Sequence, residues 1–183
     1  MLPPISHASI PRRSALFAAV SLAALLAACS PTPTPTPTPT AAFASEEDAF
    51  AAAEKTYQEF TARLNRVDVA DPATFEPLYE LSSGEFERAD REAYSAMHAK
   101  NYTVSGSTKI VSFRATHSSA ALDRVEADVC LDVRGVTVVD SVGVSQVDSN
   151  RPDVYGLQVT FVADGGSFTI DSAAVDEEMP CAT

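Results

Sequence analysis

The 183-residue sequence predicts an α+β fold, because the spacing of its apolar residues changes at Lys100. From Ser45 to Lys100 apolar residues recur every three or four positions, the period of a helix that buries one face. Beyond Lys100 apolar and polar residues alternate, the period of a strand with one buried face. Helices that precede a run of antiparallel strands pack against one face of the sheet. We therefore expect one domain over residues 45–183, with three N-terminal helices on a sheet of four to five strands.

The first helix is predicted to begin after Ser45. The serine suits a helix cap, and acids in the first turn favour the positive end of the helix dipole. Apolar residues then recur at helical spacing at Phe50, Ala53, Tyr57, Phe60, Leu64 and Val67. This pattern predicts a face that packs on a core rather than a coiled coil.

Two more helices are predicted before Lys100. The Asp71-Pro72 pair marks a start, and Pro77 is expected to bend or split the short segment that follows. A capping box that begins at Ser82 predicts a third helix, which runs to about residue 99. Its inner side is predicted to carry Phe86, Ala93 and Met97.

The second half of the domain predicts an antiparallel meander. The strand candidates are residues 101–115, 119–134, 136–147, 153–163 and 167–175. A tight turn is expected at Gly165 and Gly166, because glycine accepts positive φ angles, and another turn is expected at Gly135.

This order of elements resembles the NTF2-like (SnoaL-like) superfamily, in particular its lipid-anchored members of actinobacterial type. The resemblance rests on that order and on the stretches ADPATFEPLYE (70–80) and VCLDVRGVTVVD (129–140). It implies a cone in which three helices pack into the concave face of a curved antiparallel sheet. The superfamily contains isomerases, dehydratases, hydrolases and non-catalytic modules, so the fold does not determine the function.

Residues 1–28 are typical of a secretory signal peptide. Arg12 and Arg13 precede an apolar run over residues 14–28, which would span about 22 Å as a helix. The run is too short for a permanent membrane span, which needs about 20 residues.

The sequence Leu26-Ala27-Ala28-Cys29 resembles the lipobox of bacterial lipoproteins. The resemblance implies that Cys29 receives a diacylglyceryl group of the palmitate type and that cleavage occurs between Ala28 and Cys29. Two acyl chains suffice for stable membrane attachment. We therefore expect a lipid-anchored protein on the extracytoplasmic face of the cell membrane. The alternative is an ordinary secreted protein, whose signal peptide is cleaved and whose Cys29 is coincidental.

Residues 29–44 are predicted to link the lipid to the domain. Five Pro-Thr repeats over residues 31–40 exclude helix and central strand, and favour an extended spacer of about 30 Å. We interpret the segment as a stalk, with the alternative of a low-complexity join that has no role beyond its length. Its threonines are candidates for O-glycosylation.

The charge balance excludes nucleic acid as a partner, because phosphate binding requires clustered Lys and Arg. The net charge is −12, and removal of residues 1–28 leaves 11 basic and 25 acidic side chains, a net charge of −14. Anionic lipid surfaces repel such a domain, so attachment is expected through lipid rather than through the protein surface.

Three cysteines leave one pair after Cys29 is lipidated. In an oxidising compartment Cys130 and Cys181 are expected to form a disulfide. Cys130 alternates away from the apolar face of its strand, within reach of the C-terminal tail. The bridge would close about 50 residues and contribute roughly 4 kcal/mol.

No catalytic, cofactor or metal motif is recognised, and we predict no catalytic residue, cofactor or metal ligand. Asp148, Asn150 and Asp153 only faintly suggest a calcium loop, and a solvated turn is the preferred interpretation.

Several titratable residues are weighed against a catalytic role. His98 is expected in the last turn of the third helix, and His117 in an exposed loop between strands. Asp90 and Tyr94, one helical turn apart, could edge a cone and transfer protons, but a solvated face with a half-packed tyrosine is favoured. Packing is likewise the default for Tyr57, Tyr79 and Tyr155.

Three functional hypotheses remain open at this point. The preferred one is a non-catalytic, lipid-anchored envelope protein whose domain binds a protein partner, a second copy of the chain or a small ligand. The second is an acid–base enzyme that acts on a small apolar molecule in the cone. The third is a structural accessory to cell-wall assembly.

Overall fold

The computed structural model describes residues 41–181, and the predictions for Ala28, Cys29 and the Pro-Thr repeats lie outside this range. The α+β class is confirmed. The elements are α1 (Glu46–Leu64), a 3-10 helix (Pro72–Thr74), α2 (Glu76–Tyr79), α3 (Gly84–Ala99), β1 (Thr103–Ser105), β2 (Lys109–Ser118), β3 (Arg124–Asp132), β4 (Thr137–Val139), β5 (Val154–Asp164) and β6 (Ser167–Val175).

The strands form two antiparallel sheets, where the sequence predicts one. Four strands pair in the order β2-β3-β5-β6, and β1 pairs separately with β4. The first strand candidate splits at Gly106, whose φ is +92° and whose added Cβ would overlap the carbonyl oxygen of Gly135. The candidate over residues 136–147 shortens to β4, since most of its remaining residues are exposed.

Irregular register occurs at both edges of the four-stranded sheet. The β2–β3 ladder shifts at two places, and the β5–β6 ladder shifts between Thr160 and Phe161. Shifts of this kind bend strands and increase their twist. The predicted turn after β5 is confirmed, with φ values of +57° at Gly165 and +93° at Gly166.

The core lies between α1 and one face of the four-stranded sheet. α1 packs on β2 and β6, and α3 packs on β6. The predicted apolar face of α1 is confirmed at its centre, where Ala53, Tyr57 and Phe60 are buried. The opposing sheet residues are buried as well: Val125, Ala127, Val129, Val159, Phe161, Phe168 and Ile170. Full burial of an aliphatic or phenyl side chain stabilises the fold by about 1.5–3 kcal/mol.

The two serine-based helix starts have different outcomes. Ser45 caps α1 as predicted, because its Oγ accepts a hydrogen bond from the Asp48 amide at 3.1 Å. The capping box at Ser82 is wrong. Ser82 forms a bridge with Ile170 of β6, and the adjoining Ser83 precedes α3 with its Oγ 2.9 Å from Thr169 Oγ1. Both serines therefore contact the edge strand β6, and neither side chain caps α3.

The N-terminal segment of the described chain already packs on the domain. The Phe43 ring stacks on Phe168 with centroids 4.6 Å apart, and the Ala42 amide donates to the Ala121 carbonyl at 3.2 Å. Within residues 41–181 no helix combines the length and apolarity that a bilayer span requires.

The predicted disulfide between Cys130 and Cys181 is confirmed. Cys130 pairs with Gly156 in the β3–β5 ladder, on the sheet face opposite the helices. The C-terminal tail reaches this face because Gly156 has no side chain: an added Cβ would lie 2.5 Å from Met179 Cβ. The Asp176 amide also donates to the Gly156 carbonyl at 2.9 Å. One glycine and one covalent bond thus hold the tail on the sheet.

We expect Gly156→Ala to destabilise the fold by about 1–3 kcal/mol, because the new methyl group must displace the tail. Urea unfolding of the purified chain measures the effect. Gly135→Ala is the matched control, since its added Cβ has nothing within 4 Å. Equal unfolding midpoints for the two variants would show that the tail does not pack on Gly156.

Candidate functional site

The inner face of α3 is only half-buried. Phe86, Asp90, Tyr94 and Met97 are the less exposed positions along this face, and no residue of α3 is fully buried. Ala93, which was expected on this face, is exposed. Phe86 and Met97 lie on the inner face as predicted, Tyr94 takes the place expected for Ala93, and a carboxylate occupies the middle of the face.

Asp90 is the unusual member of this face. Its Oδ2 is buried and has no hydrogen-bond partner within residues 41–181. Burial disfavours the charged form and raises the pKa of the carboxyl from 3.8 to about 6. The preferred interpretation of Asp90 as part of a solvated face is therefore wrong. A carboxyl group that titrates near neutral pH can serve as a general acid or base.

The charge of Asp90 affects the pKa of three tyrosines. Burial raises the pKa of Tyr57 on α1 and of Tyr94 on α3, and the Asp90 charge raises both further. The pKa of Tyr79 on α2 is also raised, mainly by burial, while the Arg91 guanidinium 3.9 Å from its ring centroid opposes the shift. The negative charge of Asp90 thus helps to keep the three phenols protonated.

A large cleft begins where this face of α3 ends. It has a volume of about 1100 Å³ and is lined mainly by the segment before β5, the start of β5 and the chain after β6, with Met97 of α3 beside them. Met97 and Asp90 are two turns apart on α3, about 10 Å along the axis. The apolar part of the cleft surface is formed by Met97, Val138, Val147, Pro152, Val154, Val175 and Met179.

The charged part of the cleft surface is mainly acidic. The carboxylates are those of Asp148, Asp153, Asp176 and Glu177, and the one base on its lining is Arg151. The Arg151 Nη2 donates to the carbonyls of Val133 and Val136, each at 2.9 Å, so this guanidinium is held against backbone.

Two tyrosines also line the cleft. Tyr155 lies on β5, and Tyr102 donates its hydroxyl hydrogen to Gln146 Oε1 at 3.0 Å. The Lys100 ammonium is 5.5 Å from the Tyr102 ring centroid. Tyr155 therefore lines the cleft, whereas Tyr57 and Tyr79 are buried in the packing as expected.

The two histidines of the described domain are outside this arrangement. His98 lies in the last turn of α3 as expected, and its Nδ1 is 2.8 Å from the Val69 carbonyl oxygen. His117 is not in a loop, because β2 extends to Ser118 and pairs His117 with Glu126. Neither histidine lines the cleft.

The weak calcium pattern lies on an exposed segment before β5. The Asp148 Oδ1 accepts the Asn150 amide at 2.8 Å, as in an ordinary Asx turn. In the part of the chain that the structure describes, no three His, Cys, Asp or Glu side chains group as metal ligands.

Sequence reasoning missed the importance of Asp90 and the whole of the cleft. The signal for Asp90 is present in the sequence, because an acid stands between Phe86 and Tyr94 at spacings of four on one helix face. No comparable signal exists for the cleft, whose walls come from segments distant in sequence.

We expect the buried charge of Asp90 to lower stability as the pH rises from about 4 to about 6. In this interval the folded state retains a proton that the unfolded state has lost, so the penalty is complete above pH 6. Asp90→Asn should remove the penalty and stabilise the fold at pH 7 by about 1–3 kcal/mol. Urea unfolding at pH 4 and pH 7 measures the difference between variant and wild type.

Glu92→Gln is the matched control, since Glu92 is an exposed acid of the same helix that is paired with Arg88. A stability difference between Asp90→Asn and wild type that is the same at pH 4 and pH 7 would contradict a raised pKa.

Comparisons with known proteins support the fold only. No protein-family model and no curated protein sequence matches the chain. Among solved structures, the chain is similar to a candidate aromatic ring hydroxylase from Novosphingobium aromaticivorans. The superposition covers 75% of this chain and 94% of the hydroxylase chain, at 10% identity and a TM-score of 0.51.

Two more solved structures give lower scores. The intermembrane space region of the chloroplast protein ARC6 covers 68% of this chain and 94% of its own, at 14% identity and a TM-score of 0.49. The protein Aln2 from a Streptomyces species covers 72% and 91%, at 12% identity and a TM-score of 0.44. The chain is thus similar in fold to the Novosphingobium protein.

Proposed function

We propose that this chain is a lipid-anchored, extracytoplasmic envelope protein whose NTF2-like domain binds a small ligand in a cone. The observation that carries the binding role is the cleft of about 1100 Å³ that adjoins the half-buried face of α3. Its volume is slightly above the range of about 300–1,000 Å³ that is usual for small-molecule sites, and its lining combines apolar surface with polar groups, as such sites do.

The cone is supported by the way the helices cover the sheet. α1 fills one part of the sheet face with buried aromatic residues, whereas α3 contributes a face with no fully buried residue. The register shifts in β2–β3 and β5–β6 favour a bent sheet. A bent sheet that is unevenly covered favours a cone between α3 and the strands, and Met97 is the residue of α3 that lines the cleft.

The anchor is supported by the sequence of the first 40 residues. Arg12 and Arg13, the apolar run over residues 14–28 and the lipobox that ends at Cys29 follow one another in the order of a lipoprotein signal. A disulfide between Cys130 and Cys181 fits an oxidising, extracytoplasmic location. A protein partner in the envelope or a second copy of the chain is the competing occupant.

A second function, acid–base catalysis in the cone, is favoured by Asp90 alone. Its carboxylate lacks a hydrogen-bond partner in the described domain, and its pKa of about 6 leaves it mainly ionised at pH 7. In such a reaction the carboxylate takes a proton from the carbon next to a carbonyl group, leaving an enolate. Return of a proton from the carboxyl group to carbon restores the base.

For the anchor, we expect the wild-type chain to incorporate an alkyne-labelled fatty acid in an expressing bacterium and the Cys29→Ser variant to incorporate none. The thioether and its two acyl chains require the Cys29 thiol. Click detection and the intact mass of the purified proteins measure the modification. Ser30→Ala, which leaves the thiol in place, is the control and should be labelled. An unlabelled wild-type chain would refute the anchor.

For catalysis, we expect the wild-type chain to exchange hydrogen for deuterium next to the carbonyl of small cyclic ketones in D₂O. The exchange rate should rise as the pH passes about 6, where the Asp90 carboxylate forms. Asp90→Asn should reduce the rate by a factor of about 10² or more, whereas Glu92→Gln should leave it unchanged. Equal rates for wild type and Asp90→Asn by mass spectrometry would exclude Asp90 as the base.

A further inference from the structure

We propose that the cleft selects an organic cation, namely an amine or quaternary ammonium group attached to an apolar body. This inference rests on the proposed function, since it names the chemical class of the small ligand. It follows from three features of the lining, which are its charge, the placement of its single base, and the soft apolar surface next to the acids.

The charge of the lining is the first feature. Four carboxylates and one guanidinium line the cleft, and no lysine does so. Asp153 and Glu177 are exposed, and within residues 41–181 their carboxylates accept no hydrogen bond and join no ion pair. Like-signed carboxylates around one concave space raise the local concentration of cations and repel phosphates and carboxylates.

The placement of the positive groups is the second feature. The Arg151 Nη2 donates to two backbone carbonyls, and within residues 41–181 the guanidinium forms no ion pair with an acid of the lining. Lys100 lies at the Tyr102 ring and is not part of the lining. Within residues 41–181 the carboxylates of Asp153 and Glu177 therefore have no counter-ion, and a ligand that carries a positive charge would supply one.

The apolar surface is the third feature. Met97 and Met179 provide soft, adaptable thioether contacts, and Tyr155 provides an aromatic ring. Val175 keeps 56% of its surface exposed although it is a large apolar residue. Aromatic faces attract ammonium groups, and exposed apolar surface in a cleft favours the body of a ligand rather than a bare metal ion.

The test uses the full-length chain in nanodiscs of phosphatidylcholine, whose zwitterionic headgroups add no net charge. The probes are 4-phenylbutyltrimethylammonium, its uncharged analogue in which carbon replaces the nitrogen, and 4-phenylbutyrate. Calorimetric titration against empty nanodiscs measures each dissociation constant. We expect the cation to bind at least about ten times more tightly than the uncharged analogue, and the anion to bind more weakly still.

Paired variants separate a local effect from the overall acidity of the chain. Asp153→Asn combined with Glu177→Gln should weaken binding of the cation by roughly tenfold and leave the uncharged analogue unaffected. Glu54→Gln combined with Glu92→Gln removes the same charge from exposed positions on α1 and α3, and should change binding less than about twofold. Equal weakening by both pairs would overturn the proposal.

The outcomes also separate the charge preference from the proposed function. If the uncharged analogue or the anion binds as tightly as the cation, the cleft is a ligand site but its selectivity for cations is refuted. If none of the three probes binds, both the cation preference and the role of the cleft as a small-molecule site are refuted.

Discussion

The packing of α1 against the sheet is the constraint on which the rest of the domain depends. Tyr57 stands at its centre, with ring centroids 6.0 Å from Phe113 and 6.2 Å from Phe161. These aromatic contacts bury the middle of the sheet and fix the position of α1. α3 covers β6 with a face that is only half-buried and that carries Asp90 between Phe86 and Tyr94. Near its end the same helix carries Met97, which is one of the residues that line the cleft.

A half-buried carboxylate without a hydrogen-bond partner in residues 41–181 lowers the stability of the fold, and no contact in this range offsets the cost. A phenylalanine or leucine at position 90 would continue the face formed by Phe86 and Tyr94 and would extend the core. Residues that destabilise a fold without a compensating contact are typical of functional sites. Asp90 therefore belongs in the candidate site on energetic grounds, independently of any particular reaction.

Periodicity and local chemistry were sufficient to predict much of the fold. The α1 face, its Ser45 cap, the Gly165-Gly166 turn and the disulfide all depend on residues close together in sequence or on simple pairing rules. The capping box at Ser82 failed because a tertiary contact with β6 outcompeted a local signal. Asp90 was misjudged because periodicity was read for apolar residues only, so that Ala93 was preferred on the inner face.

The cleft could not be predicted by any rule of this kind, because its surface is assembled from the end of α3, the segment before β5, the start of β5 and the C-terminal tail. Its acids come from two segments distant in sequence, of which one shows only the weak calcium pattern and the other shows no motif. Such a site is a property of the tertiary arrangement rather than of a sequence pattern.

The disulfide between Cys130 and Cys181 also fixes one wall of the cleft. Asp176, Glu177, Met179 and Cys181 all belong both to the tail and to the surface of the cleft. Where thiols are kept reduced, this wall is held by the contacts at Gly156 and by the hydrogen bond from Gln158 to Asp176. The surface of the cleft is thus completed by oxidation, and a newly made chain would acquire its full shape only in surroundings that allow the two sulfurs to join.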